Sequence, residues 1–404
     1  MRTLAITGVF LASSLLAAGG ENLSPEALLP GHGATDAHAP AAAFGKDVFL
    51  VVWEAGRNEK ADIVGIRLDK SGKVLDAKPF VISGAEDCQE RPRVAFGGGV
   101  FLVVWQDLRN EKDYDTYAAR VTPEGKVLDP DGIAAGAEKH NQAQPVVCFD
   151  GRAFQIVWRD MRNGTSYDIY GGRVGPDGRM LDGKGVLQQP GFKRTWTTKT
   201  GVPGVGANGS GGVFSGAFGL NSIQLWPVKD GKQAAKPKPG FTGAKLRNAW
   251  APKFASDGKN FLVAFTTYQP ISRGGTSQNS GAVLLDVAGK NVPTSVIPVS
   301  TGQEKATCIR NPSPVWDGKT YVVAWDIEEG SRNKTHWDVV YLRRISREGK
   351  PQGANTPVAG EKDSPAFHPA AASDGKGMTL VAYERGPKTG AVPIKIAFRM
   401  LKAK

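Results

Sequence analysis

Cysteine is scarce in this chain: Cys88, Cys148 and Cys308 are the only three in 404 residues. An odd, sparse set makes no disulfide framework, so stability has to come from a large buried core. Histidine is also rare, with five residues at spacings that match no metal motif. Long apolar runs are missing beyond the N-terminus, which excludes a polytopic membrane protein of helices. There is no Gly-x-Ser-x-Gly elbow, no phosphate loop and no paired-cysteine zinc motif. Glycine, by contrast, is abundant at 51 residues, yet no Gly-X-Y period exists, so a collagen-like chain is excluded. Charged and apolar shares of 22% and 40% are too balanced for intrinsic disorder.

The N-terminus has a recognisable order. Met1-Arg2 precedes an uncharged apolar stretch over residues 4–18, and small residues run through Gly19 and Gly20 before Glu21 opens the polar chain. This positive, apolar, small-residue order reads as a secretory signal over residues 1–20. Gly19 stands where a lipid anchor would need cysteine. The mature chain, 21–404, is therefore expected to be exported to the periplasm or beyond, with no transmembrane anchor after cleavage. The formal net charge of +12 is dispersed, apart from Lys232, Lys236 and Lys238 and the basic tail from Arg399. An exported basic chain rarely meets nucleic acid, so the expected partner is a protein or an anionic polysaccharide. Nothing in the sequence asks for a cofactor.

One pattern recurs seven times. Each copy opens on a proline, Pro40, Pro92, Pro145, Pro203, Pro252, Pro312 and Pro369, and these lie 49 to 60 residues apart. Small or apolar residues follow, then a turn such as Asp150-Gly151 or Asp317-Gly318. A second strand ends on an aromatic: Trp53, Trp105, Trp158, Phe218, Phe265, Trp325 or Tyr383. These aromatics are expected to form a core ring. A third strand opens on Asp62, Asp115, Asp168 or Asp338, and a further turn leads to a short fourth. Four antiparallel strands per repeat of this length are a propeller blade. The fold class predicted is all-β: one seven-bladed β-propeller of four-stranded antiparallel blades over residues 21–404. The last repeat lacks a fourth strand, and residues 26–31 align with residues 80–84, the fourth strand of the first repeat. The N-terminal segment is thus expected to complete the last blade and close the ring, which removes exposed edges. A closed ring of this kind is expected to be a monomer.

The third copy carries the fullest motif: Pro145, Asp150-Gly151, Trp158, Asp160, Arg162-Asn163-Gly164, Asp168-Ile169-Tyr170 and Asp177-Gly178. It resembles the WD40-like repeat of TolB-type propellers, although the repeats here are about ten residues longer and the second strand ends in Trp. The resemblance implies a propeller, an envelope location and protein binding. It implies no particular partner.

In a propeller, the loops joining strands two and three share a face with the loops joining blades. That face is expected to carry Glu54 with Arg57, Asp107 with Arg109, Asp160 with Arg162, Asp326, and Glu384 with Arg385. Arg57, Asp107, Arg109, Asp160, Arg162, Asp326 and Arg385 are the candidate ligand-binding set, since guanidinium groups grip carboxylates and sulfates in a bidentate way. The plainer reading is turn chemistry, because a unique active site need not recur in every blade. Ring closure makes the first and last blades neighbours, so His38 and His368 can meet near the channel mouth and are the candidate metal ligands. The leading functional expectation is a non-catalytic secreted propeller that binds its partner through the channel-mouth face. The alternative is a carbohydrate-active hydrolase or lyase, with its two carboxylates drawn from Glu54, Asp107, Asp160, Asp326 and Glu384.

Overall fold

Six of the recurring prolines sit in inner strands and Pro203 immediately precedes the seventh, and the Val-rich, aromatic-ended segments pair beside them. In the computed structural model the described residues are 20–33, 35–57, 60–190, 202–219, 222–236, 238–239, 249–271, 275–286, 289–290, 296–300, 308–330, 336–361, 363–386 and 393–403. Among them every regular element is a strand, and no helix is long and apolar enough to cross a membrane. The expected signal peptide lies outside the described residues except for Gly20.

Each blade is an antiparallel meander that runs outward from the channel. Blade 1 comprises Ala37–Gly45, Val48–Arg57, Lys60–Asp69 and Phe80–Ser83. Blades 2 and 3 repeat it, beginning at Gln89–Gly97 and Gln142–Phe149. Blade 4 starts with the short strand Gly204–Ala207, and blades 5 and 6 with Ala249–Ser256 and Cys308–Trp316. Blade 7 supplies Ala366–Ser373, Met378–Arg385 and Lys395–Lys402. Its outer position is filled from the other end of the chain. Asn22–Leu23 and Ala27–Leu28 both pair antiparallel with Lys395–Lys402. The N-terminal segment therefore closes the ring.

The core lies between blades rather than inside any one of them. Because strand side chains alternate, Phe49, Val51 and Trp53 face blade 7 while Leu50 and Val52 face blade 2. Trp53, Trp105, Trp158, Phe265, Trp325 and Tyr383 are all essentially fully buried, so these six second-strand aromatics are core residues; the side chain of Phe218 lies outside the described residues. Glycine is demanded where one blade meets the next: a Cβ on Gly45 would lie 2.0 Å from the Phe96 ring, and one on Gly97 as close to Phe149. On the face away from the channel mouth, Arg67, Arg120 and Arg173 form ion pairs with Asp76, Asp129 and Asp182 at 2.6, 2.8 and 2.8 Å. Arg67 and Arg120 also donate to Pro123 and Pro176 carbonyls in the following blade, at 2.9 and 3.2 Å.

Charge as well as backbone pairing fastens the closing segment. Arg344 of blade 6 pairs with Glu21 at 3.1 Å and with Asp317, all three groups being buried. Glu26 accepts from the Tyr383 hydroxyl at 2.8 Å and pairs with Arg385 at 3.1 Å. Arg344→Met would leave two buried carboxylates facing each other without a counter-ion. It is expected to lower the unfolding free energy by about 3–5 kcal/mol, measured by urea denaturation. A loss below about 1 kcal/mol would show that the strand pairing alone holds the closure.

Candidate functional site

The inner strands surround a channel whose mouth opens as a cavity of about 560 Å³. Six of the inner strands reach it through a bulge. The residue before the proline has positive φ in six of the inner strands: Ala39 at 50°, Arg91 at 55°, Gln144 at 57°, Ala251 at 47°, Asn311 at 51° and His368 at 52°. Pairing with the second strand shifts register at the same point. A non-glycine residue in this region costs about 1–3 kcal/mol and persists only when its surroundings hold it there. The hold comes from the preceding blade. The Ala39 N–H donates to Glu384 Oε1 at 2.9 Å, that of Arg91 to Glu54 Oε1 at 2.5 Å, and that of Gln144 to Gln106 Oε1 at 3.1 Å. In each case the acceptor directly follows the second-strand aromatic.

Where blades 1 and 7 meet, the acceptor joins two imidazoles. Glu384 is 1% exposed. Its Oε2 lies 3.1 Å from His38 Nδ1 and its Oε1 2.7 Å from His368 Nδ1. An ionised carboxylate only accepts, so Nδ1 carries the proton in both rings. Burial pushes the Glu384 carboxyl up, but the bonds from His368, His38 and the Ala39 N–H outweigh it and hold the pKa at about 2. Desolvation opposes the charge on His368, and the bond to Glu384 overcomes it, raising the imidazole above its usual value.

The neighbouring junction carries the opposite balance. Burial raises the Glu54 carboxyl, outweighing the Arg91 N–H, and the charge of Glu90 adds to the rise. Glu90 also lines the cavity, and its Oε2 accepts from Gln106 Nε2 at 2.8 Å. The channel thus holds one carboxyl kept toward its protonated form and another kept firmly charged. The cavity wall also carries three cations, Arg91, Arg93 and Lys253.

No family model matches the sequence, and neither does any curated protein. The fold is similar to that of solved structures. A protein of unknown function from Dyadobacter fermentans superposes with a TM-score of 0.53 at 11% identity, over 96% of this chain and 99% of that one. An α-L-arabinofuranosidase from Fusarium graminearum, in complex with an iminosugar inhibitor, does so with a TM-score of 0.50 at 12% identity, over 95% and 98%. At these identities the likeness establishes the fold. The TolB-type resemblance is corrected accordingly: the seven-bladed ring stands, but the solved structures that share it are not TolB-type repeats.

Asp107 and Asp160 point away from the cavity. Both are fully buried and accept from the indole N–H of Trp105 and Trp158 at 2.7 and 2.8 Å. Each also pairs with the arginine two residues on, Arg109 at 2.7 Å and Arg162 at 2.6 Å. Those guanidinium groups stack over Tyr117 and Tyr170, 3.9 Å from the ring centroids. Asp115 and Asp168 accept from the side-chain amides of Asn110 and Asn163, at 3.0 and 2.9 Å. Asp326 is buried too, paired with Arg310 at 3.2 Å and bonded to Asn311 at 2.9 Å. Arg385 belongs to the ring closure through Glu26. Arg57 closes a hairpin against Lys60, and its side chain lies outside the described residues. Of the residues singled out from sequence, Glu54, Glu384, His38 and His368 line the cavity. Glu90, Arg93 and Lys253 were not singled out, although their fixed distances from Pro92 and Pro252 give them a common register. Among the described residues no group of three or more His, Cys, Asp or Glu is arranged to hold a metal ion.

Asp107→Ala and Asp160→Ala are each expected to lower stability by about 3 kcal/mol or more, read from denaturant unfolding. A variant that lost ligand binding at unchanged stability would return these residues to the binding surface. The histidine–glutamate cluster makes a signed pH prediction. Glu384 is depressed, so its contribution is present above about 4.5, its ordinary value, and is lost as pH falls toward about 2. His368 is raised, so its contribution is complete below 6.5 and is lost as pH climbs through the raised value. The contribution of the cluster should therefore be greatest between these limits. Glu384→Gln should remove that hump from a plot of unfolding free energy against pH, and a profile identical to wild type would refute the coupling.

Proposed function

We propose that the protein is a carbohydrate-active hydrolase, exported from the cytoplasm and working at its channel mouth. The observation that carries this reading is the Glu54–Glu90 pair: two carboxyls on one cavity wall, one of them pushed toward its protonated form by burial and by the charge of the other. Glycoside hydrolysis needs a pair of this kind. Protonated Glu54 donates to the glycosidic oxygen as its bond to the anomeric carbon breaks. Glu90, charged, takes a proton from the water that attacks that carbon. One water is consumed, and exchange with solvent resets both carboxyls. Glu384 has both oxygens committed to His38, His368 and the Ala39 N–H, so it is an electrostatic wall rather than a partner in the reaction. The arabinofuranosidase that shares the ring adds support, as does the signal-like leader for export.

A second reading, a non-catalytic binder, draws on the use of Glu54 and Glu384 as acceptors across blade junctions. Glu54→Gln separates the two. Gln106 already performs that acceptor role in the next blade, so the variant should keep its fold by circular dichroism. It is expected to lower kcat for oligosaccharide release by about 10²–10⁴-fold. The wild-type rate should also fall as pH rises through the raised Glu54 pKa. An unchanged rate in the variant, or no sugar released from arabino- or uronate-bearing oligosaccharides, would leave the binder.

A further inference from the structure

Seven residues follow the inner-strand prolines: Ala41, Arg93, Val146, Gly204, Lys253, Ser313 and Ala370. All seven line the cavity, and five of them are small or uncharged. The two exceptions are cations, carried by blades 2 and 5, which stand across the ring from each other. Among the described residues neither has an ion-pair partner. Arg93 makes a single hydrogen bond, from Nη1 to the Pro92 carbonyl at 2.7 Å. Arg91, exposed at the mouth beside Arg93, adds a third positive charge to the cavity.

We infer that Arg93 and Lys253 together hold a carboxylate of the ligand, which makes the substrate class an acidic, uronate-bearing glycan. This deepens the hydrolase reading and rests on it. The two cations lie three residues further along the inner strand than Glu90, its neighbour in register being His38, so a sugar carboxylate reaches below the level of the Glu54–Glu90 pair. Glu54 and Asp326 attract Arg93 and Lys253 from a distance, but neither makes an ion-pair contact with them, and enclosed cations without a contacting counter-ion are unfavourable. Burial brings Lys253 to about 7, with Arg93 close enough to add to the fall, and burial lowers Arg93 as well. An anion between them relieves both costs. A cavity of about 560 Å³ admits a short oligosaccharide, and the small side chains around the rest of the ring leave it room.

Titration calorimetry on the purified full chain tests this with trigalacturonate, arabinotriose, triglutamate and inorganic sulfate as probes. Trigalacturonate is expected to bind at least about tenfold more tightly than the other three. Arg93→Met and Lys253→Met are each expected to weaken it by about 30-fold or more, with melting temperatures equal to or above wild type. Preference for arabinotriose, triglutamate or sulfate overturns the inference, and so do Met variants that melt lower yet bind uronate normally. Its fate is separable from that of the hydrolase reading. Uronate that binds through both cations but is never cleaved sinks hydrolysis and leaves the carboxylate site. Cleavage of trigalacturonate at the wild-type rate and affinity in both Met variants sinks the carboxylate site and leaves hydrolysis.

Discussion

A backbone N–H on a bulged inner strand, caught by a side chain from the preceding blade, sets the geometry of the whole channel mouth. The bulge puts a non-glycine residue at positive φ just before a proline, a combination that the chain resists on its own. Left without an acceptor, the enclosed N–H would cost a further 1–3 kcal/mol or so. The acceptor has to come from the position after the second-strand aromatic, because strand alternation sends the aromatic to one side of the blade and its successor to the other. At three junctions that position is a hydrogen-bond acceptor beside the channel, whereas in blade 3 it is Arg159, which donates to Gln144 instead. Glutamine satisfies that need at residue 106 and glutamate does so at 54 and 384, so the same scaffold contact yields neutral, protonatable or charged groups from blade to blade.

The architecture was legible because its signals are local and repeated. Proline, turn and aromatic recur in a fixed order, and their spacing counts the blades without any knowledge of contacts across the ring. The site was less legible because a strand side chain changes face with every residue. Asp107 and Asp160 lie two positions beyond their aromatic, whereas Asp326, Glu54 and Glu384 lie one beyond. A motif read as an acid followed by arginine merges these two sets, and counting from the aromatic separates them. Ring closure implied that His38 and His368 would be neighbours. That Glu384 stands between them depends on a junction joining residues 346 apart in sequence, and no periodicity reveals such a contact.

The blades have diverged in how they satisfy the buried indole. Trp105 and Trp158 each give their N–H to an aspartate that also carries an arginine. Trp53 and Trp325 occupy the same place with Ala55 and Ile327 two residues on, and their indole nitrogens have no acceptor. Two junctions are therefore stiffened by charge and two depend on apolar packing. The candidate chemistry spans both kinds: the histidine–glutamate cluster lies at the junction that Trp53 fills, whereas Glu54 reaches the junction that Trp105 and Asp107 stiffen.

Completion of blade 7 by residues 22–28 has a kinetic side. The first strands of the chain have no place to pair until the last strand, Lys395–Lys402, has been formed. Every other blade is a meander of neighbours in sequence and can assemble as its own strands arrive, whereas this one needs the two ends of the chain to meet. Contacts of such long sequence separation form late and slowly. Until they do, the final blade presents an open sheet edge that other chains can pair with. The partly built ring is thus the species most exposed to misassembly, and the residues that fasten the N-terminal segment, Glu21 and Glu26 among them, set how long that exposure lasts.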